Sequence, residues 1–101
     1  MGCRRNVCLV FDRSRSIFLY THWGADDLDQ VLKNALIRGK GRWNDPSYLA
    51  RIIFCEMVQD DVLGVTGYGL APYEMDPEFP SIKVDLENRT VDGVEFEEFI
   101  L

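Results

Sequence analysis

Asp45-Pro46-Ser47-Tyr48-Leu49-Ala50-Arg51-Ile52-Ile53-Phe54-Cys55-Glu56-Met57-Val58 is the stretch on which the fold turns. The Asp45 carboxylate can accept from free first-turn amides, and Pro46 carries a φ preset for the first helical residue, so the pair predicts a helix start. Beyond it, Tyr48, Leu49, Ile52, Ile53, Phe54, Cys55, Met57 and Val58 spread apolar side chains over a wide arc, broken chiefly by Arg51 and Glu56. Such an arc predicts a helix over 46–58 wedged between layers or lying at an oligomer interface.

Working back toward the N-terminus, Leu28, Val31, Leu32, Ala35 and Leu36 recur at helical spacing behind Ala25-Asp26-Asp27. This predicts a second, amphipathic helix, closed by the basic Arg38 and by Gly39 as a left-handed C-cap. Before it, Val7, Leu9 and Phe11 alternate with Cys8 and Val10. Ile17, Leu19 and Thr21 alternate with Phe18, Tyr20 and His22, and the polar Asp12-Arg13-Ser14-Arg15 between them predicts a β-hairpin. Toward the C-terminus, Val65 to Leu70 reads as a strand weakened by Gly67 and Gly69. Pro72 to Pro80 reads as a loop, Ser81 to Leu86 as an alternating strand, Glu87 to Thr90 as a turn, and Val91 as the start of a return strand. Val94 to Leu101 reads as an edge strand or an interface tail. The order ββααβββ predicts an α+β fold, a single antiparallel sheet with two helices packed on one face, in one compact domain over 1–101.

Composition narrows the function classes. The 101 residues are 47% hydrophobic and 28% charged, enough apolar material for a modest core. A formal net charge of −6 opposes general duplex nucleic-acid binding, which needs a basic stripe to neutralise phosphates. No apolar run approaches the roughly 20 residues that cross a bilayer. Met1-Gly2-Cys3-Arg4-Arg5 lacks a signal-peptide cleavage site, and Asn6 stands where a myristoylation motif wants Ser or Thr. Cys3, Cys8 and Cys55 form no C-x-x-C pair, so the expectation is reduced thiols in the cytoplasm, with no disulfide framework or finger-type metal site. Cys55, on a helix read as buried, is expected to be inert.

Three segments carry candidate chemistry, each with a plain structural alternative. Arg38, Lys40, Arg42 and Arg51 give the stretch 38–51 a net +3 inside an acidic chain. With glycines at 39 and 41 and with Trp43 as a stacking face, it suits a phosphorylated planar ligand, or it is a solvated helix end whose cations complement the dipole. Arg51, on the apolar helix, is expected to be buried and paired with Glu56 or Asp85, or else to hold an anionic ligand. His22 and Trp23 stand where a strand passes into a helix, a common ligand position and an equally common packed strand end. Gly67-Tyr68-Gly69 either opens room beside an aromatic ring or marks a bulge. Catalytic residues stay unassigned, since a nucleophile–base pair would need the single His22 beside Cys8, Cys55 or a serine; a zinc site from Cys3, Cys8, Cys55 and His22 is open on residue count alone, with Cys8 read as a strand core residue, and no cofactor motif is found.

Taken together, Tyr20-x-His22-Trp23-Gly24, Arg42-Trp43-x-Asp45-x-x-Tyr48-Leu49-Ala50-Arg51-Ile52-Ile53-Phe54 and Thr66-Gly67-Tyr68-Gly69 resemble a family of small proteins encoded by tailed bacteriophages and prophages. The resemblance covers most of the chain and carries no catalytic assignment. It implies a protein of the infected bacterial cytosol that acts against host defence. On that footing the expected function is a non-catalytic, homo-oligomeric binding protein that sequesters a phosphorylated nucleotide signal of host immunity. Arg38, Lys40, Arg42 and Arg51 would take phosphate, with His22, Trp23, Trp43 and Tyr68 around the base or ribose. The alternative is a protein-binding inhibitor of a host defence complex that uses an acidic surface and an apolar C-terminus. A small enzyme centred on His22 is the third reading.

Overall fold

The structure, a computed structural model, describes residues 2–101. Its strands are β1 (Arg5–Asp12), β2 (Arg15–Thr21), β3 (Tyr68–Ala71), β4 (Ile82–Asp85), β5 (Thr90–Val91) and β6 (Val94–Glu95), and its helices are α1 (Leu28–Arg38), α2 (Pro46–Val58) and α3 (Phe96–Phe99). The strands make one α+β sheet in the order β3-β2-β1-β4-β5-β6.

The sheet is mixed, which corrects the expectation of an antiparallel one. β1 pairs with β2, and β2 with β3, antiparallel, so β3 runs in the direction of β1; β4 then pairs parallel to β1, with Val7 opposite Ile82 and Leu9 opposite Val84. Two strands that run the same way cannot be joined by a tight turn. The chain therefore returns through 72–81, which crosses the sheet face away from the helices. There the Asn6 amide, fully buried, donates to Met75 O at 2.8 Å and accepts from Met75 N at 3.1 Å. Arg5 Nε donates to Pro80 O, and Arg4 pairs with Asp76 and Glu78. These contacts join residues about 70 positions apart, beyond the reach of any local pattern.

The element order is also richer than ββααβββ. After β4 the chain makes a small hairpin through Asp92 and Gly93, with φ of 48° and 86°, and ends in α3. Asp-Gly at a two-residue turn is a hairpin signal the sequence contains, since both central positions need positive φ. Phe96 of α3 is buried edge-on against Trp43, and Phe99 and Ile100 pack on the core. Of the expected edge strand or interface tail over 94–101, Val94–Glu95 forms a short edge strand, while Phe96, Phe99 and Ile100 pack into the core instead of forming a free tail.

One core lies between the sheet and the helices. Val7, Leu9, Leu19, Ile82 and Val84 from alternate strand positions meet Leu28, Leu32, Ala35 and Leu36 of α1 and Leu49, Ala50, Ile53 and Met57 of α2. Each large side chain so buried contributes roughly 1.5–3 kcal/mol relative to exposure. α2 begins as expected, with the Asp45 carboxylate accepting from Tyr48 N. It is not wedged between layers, however. Ser47, Tyr48, Arg51 and Cys55 fall at helical spacing on one exposed stripe, so the wide apolar arc is only partly buried. Gly39 has φ of −91° and is not a left-handed cap. Its place follows from packing, because a Cβ there would lie 3.0 Å from Leu49 Cδ1 and 3.1 Å from Ala35 O.

Candidate functional site

A cleft of ≈ 180 Å³ opens between the start of α1, the end of α2 and the outer end of the sheet, where Thr21 of β2 pairs with Tyr68 of β3. Thr21, Asp27, Val31, Glu56, Asp60 and Tyr68 line it. Thr21 is buried, and its Oγ1 accepts from Gly24 N at 3.0 Å, which turns the chain from strand toward helix. Glu56 holds the guanidinium of Arg38 at 2.7 Å. With Glu56 neutralised by Arg38, Asp27 and Asp60 carry the free negative charge of a lining that also includes Leu28, Val31 and Met57, and that charge disfavours phosphate. Among the described residues no cluster of His, Cys, Asp or Glu is gathered closely enough to hold a metal ion.

Of the residues singled out in the sequence, His22, Trp23 and Tyr68 come together at this end of the sheet. The His22 and Trp23 rings meet edge-on at 4.9 Å, and His22 Nδ1 shares a hydrogen bond of 2.9 Å with Tyr20 Oη. Trp23 lies over Gly67, where a Cβ would come within 2.4 Å of its Cζ3. Gly67 thus makes room for an indole of the chain itself. His22 and Tyr20 sit on the opposite sheet face from Tyr68, as strand alternation requires, so His22 does not reach the cleft.

Of the cations, Arg38 meets the cleft wall through Glu56, and the others stand away from it. Arg38 is tied to Glu56, while Lys40 and Arg42 sit in a short 3-10 turn, Lys40–Arg42, at the far end of α1. The 11 residues of α1 place that turn about 16 Å from the cleft. Trp43 is in the core: its indole N–H donates to Leu36 O at 2.9 Å and its ring packs on Phe96, so it offers no stacking face. Arg51 is exposed, contrary to its expected burial. Neither expected carboxylate serves it, since Glu56 takes Arg38 and Asp85 accepts from the amides of Glu87 and Asn88 in a turn.

A basic aromatic patch emerges instead around Tyr48, a residue the sequence reading assigned to the apolar arc. The Arg42 guanidinium lies over the Tyr48 ring at 4.7 Å, and Arg51 follows one helical turn later on the same stripe. Arg42 also approaches Asp45 at 3.7 Å. The signal that marks the patch in the sequence is the i, i+3 spacing of Tyr48 and Arg51.

The largest departure from even charge runs along residues 52–82, which hold six carboxylates and no Lys, Arg or His. This stretch includes the connection between α2 and β3, where Val62, Leu63 and Val65 are 65%, 93% and 100% exposed, and continues through Leu70 and Tyr73, also exposed. Asp60 and Asp61 stand beside these apolar side chains in sequence and are exposed as well.

Compared with known protein families, with curated proteins and with solved structures, the chain returns no match. Among the described residues no helix is long and apolar enough to cross a membrane.

Proposed function

We propose that this chain is a non-catalytic protein-binding inhibitor whose docking surface is the acidic face formed by residues 60–74 rather than its C-terminus. The observation that carries the reading is the pairing of near-complete apolar exposure at Leu63 and Val65 with Asp60, Asp61 and Glu74, carboxylates that meet no Lys or Arg among the described residues, whereas Glu56, Asp76 and Glu78 are paired with Arg38 and Arg4. Contiguous exposed apolar side chains rimmed by charge are what a protein interface presents before its partner arrives. A basic partner is favoured, because opposite potentials steer encounter and like potentials reject competitors. In the phage setting that the sequence resemblance implies, that partner is a component of host defence.

A second reading, capture of a phosphorylated nucleotide, is favoured by Arg42 stacked on Tyr48 with Arg51 beside it. Its cations and the His22–Trp23–Tyr68 aromatics stand at opposite ends of the helix pair, which weakens it. Both are tested with the full chain expressed in a bacterial host. Proteins that co-purify with the wild type and are lost with Leu63→Ser/Val65→Ser, but kept by Arg42→Ala/Arg51→Ala, support the inhibitor. Incubation with cyclic dinucleotides and ADP-ribose derivatives provides the other arm. Depletion of a nucleotide that is recovered intact after heating, and that Arg42→Ala/Arg51→Ala abolishes, would replace protein binding with nucleotide capture.

A further inference from the structure

β3 is the outermost strand on one side of the sheet, and its hydrogen-bonding pattern identifies which of its residues are unpaired. His22 N–H donates to Gly67 O at 2.9 Å, which makes His22 and Gly67 a bonded pair. Bonded and non-bonded pairs alternate along an antiparallel ladder. Carried through the register Thr21↔Tyr68, Tyr20↔Gly69, Leu19↔Leu70 and Phe18↔Ala71, this turns the backbone groups of Gly69 and Ala71 toward β2 and those of Tyr68 and Leu70 outward. Among the described residues no backbone hydrogen bond reaches those outward groups. The opposite edge, β6, is two residues long and passes directly into α3.

The same two residues aim their side chains at the helix side of the sheet. Tyr68 lines the cleft with Asp27, Glu56 and Asp60, and Leu70 is 59% exposed. In a bonded antiparallel pair, opposed side chains share a face. A residue set opposite Tyr68 therefore points at the acidic cleft, and one set opposite Leu70 meets an uncovered apolar side chain.

We propose that β3 is a docking edge for an extended segment of a basic partner protein, which adds an antiparallel strand with Lys or Arg opposite Tyr68 and an apolar residue opposite Leu70. This rests on the protein-binding reading and specifies its mode, with main-chain bonds supplying affinity and alternate side chains supplying specificity. The apolar connection at Leu63 and Val65 stands next to the cleft end of the edge and extends the contact. Pro72 limits the added strand to the span of Tyr68–Ala71. A second copy of this chain is the poorer occupant. Two-fold pairing of β3 with itself about Gly69 would set Leu70 of the copy opposite Tyr68, bring no cation to Asp27 and Asp60, and set two acidic faces together.

The test uses the full chain and a short fluorescent peptide with Val and, two residues later, Lys on one face and Thr elsewhere, read by fluorescence polarisation. One version carries N-methyl groups on the Val and Lys amides, another on the Thr amides. The expected result is a loss of at least roughly tenfold in affinity from the first and less than about twofold from the second, because only the first set faces β3. Leu70→Pro is expected to weaken the unmethylated peptide similarly while leaving the β2–β3 bonds intact, since the amide it removes points outward. Should that variant fail to fold, the methylated pair on the wild type still decides. Equal sensitivity to both methylation patterns overturns strand addition. If Asp60→Asn/Asp61→Asn then weakens the peptide, the acidic-face reading stands alone. Failure of any basic peptide to bind removes both. A dimer seen by light scattering and dissolved by Leu70→Pro assigns the edge to a second copy and overturns the proposal.

Discussion

Trp43→Phe separates a structural from a ligand-binding role for the residue that sequence alone most readily assigns to a ligand. Leu36 is in the last turn of α1, where carbonyls have no partner within the helix. The Trp43 indole N–H supplies one at 2.9 Å from a side chain only 9% exposed. Phenylalanine keeps much of the apolar contact with Phe96 but leaves that buried carbonyl unbonded, a loss of about 1–3 kcal/mol. The smaller ring removes about 1 kcal/mol more of apolar burial. The expected total is about 2–4 kcal/mol, a large share of the roughly 5–15 kcal/mol that stabilises a domain of this size. Urea unfolding followed by far-UV circular dichroism measures it without relying on the altered tryptophan signal. The midpoint should fall with little change in slope, and the melting temperature should drop by at least about 8 °C. Trp43→Ala should lose about 3–5 kcal/mol. A Trp43→Phe protein within about 0.5 kcal/mol of wild type would contradict a buried, hydrogen-bonded indole, because an exposed stacking residue behaves that way.

Gly67→Ala should destabilise the protein by roughly 1–3 kcal/mol and shift the emission of Trp23, since φ there is +98° and the added methyl meets the indole; an unchanged melting curve and spectrum would contradict the packing. The Arg15 guanidinium and the Ser14 amide hold the Asp12 carboxyl down from 3.8 to about 2. Its contribution is therefore fully present above pH 3.8 and lost as pH falls through about 2, and Asp12→Asn should flatten acid unfolding in that window, an effect that salt weakens because the pair is exposed. Burial pushes the Cys8 thiol up against an opposing hydrogen bond with Ser16. A colorimetric thiol reagent at neutral pH should modify exposed Cys55 first and Cys8 much later, and the reverse order would refute their placement.

The elements of the fold were largely legible because their signals are local. The Asp45-Pro46 start, the helical spacing of Leu28 to Leu36 and the alternation of Val7 to Phe11 each describe a few neighbouring residues, and each element forms where they point. The β5–β6 hairpin was partly legible: Val91 read as a return strand and the segment from Val94 as an edge strand or a tail, and Asp92-Gly93 is the turn that joins them. What local pattern cannot carry is which strands become neighbours. β4 lies beside β1 because the chain crosses the sheet through 72–81, held by Asn6 and Met75.

The candidate site divides along the same line. Sequence alone located the basic turn, the aromatic strand end and the apolar helix, and its charge pattern contained the acidic run from 52 to 82. Tertiary structure decided what each of them faces. Arg51 was expected inside because eight apolar residues surround it on the helix, yet a helix has a solvent side whenever its neighbours cover only part of its circumference, and Tyr48, Arg51 and Cys55 share that side. Trp43 went the other way, drawn into the core by Phe96 from the far end of the chain. Periodicity is a property of a segment, whereas burial is a property of what packs against it, so the sequence determined the elements and only their assembly determined which of their faces remain free to bind.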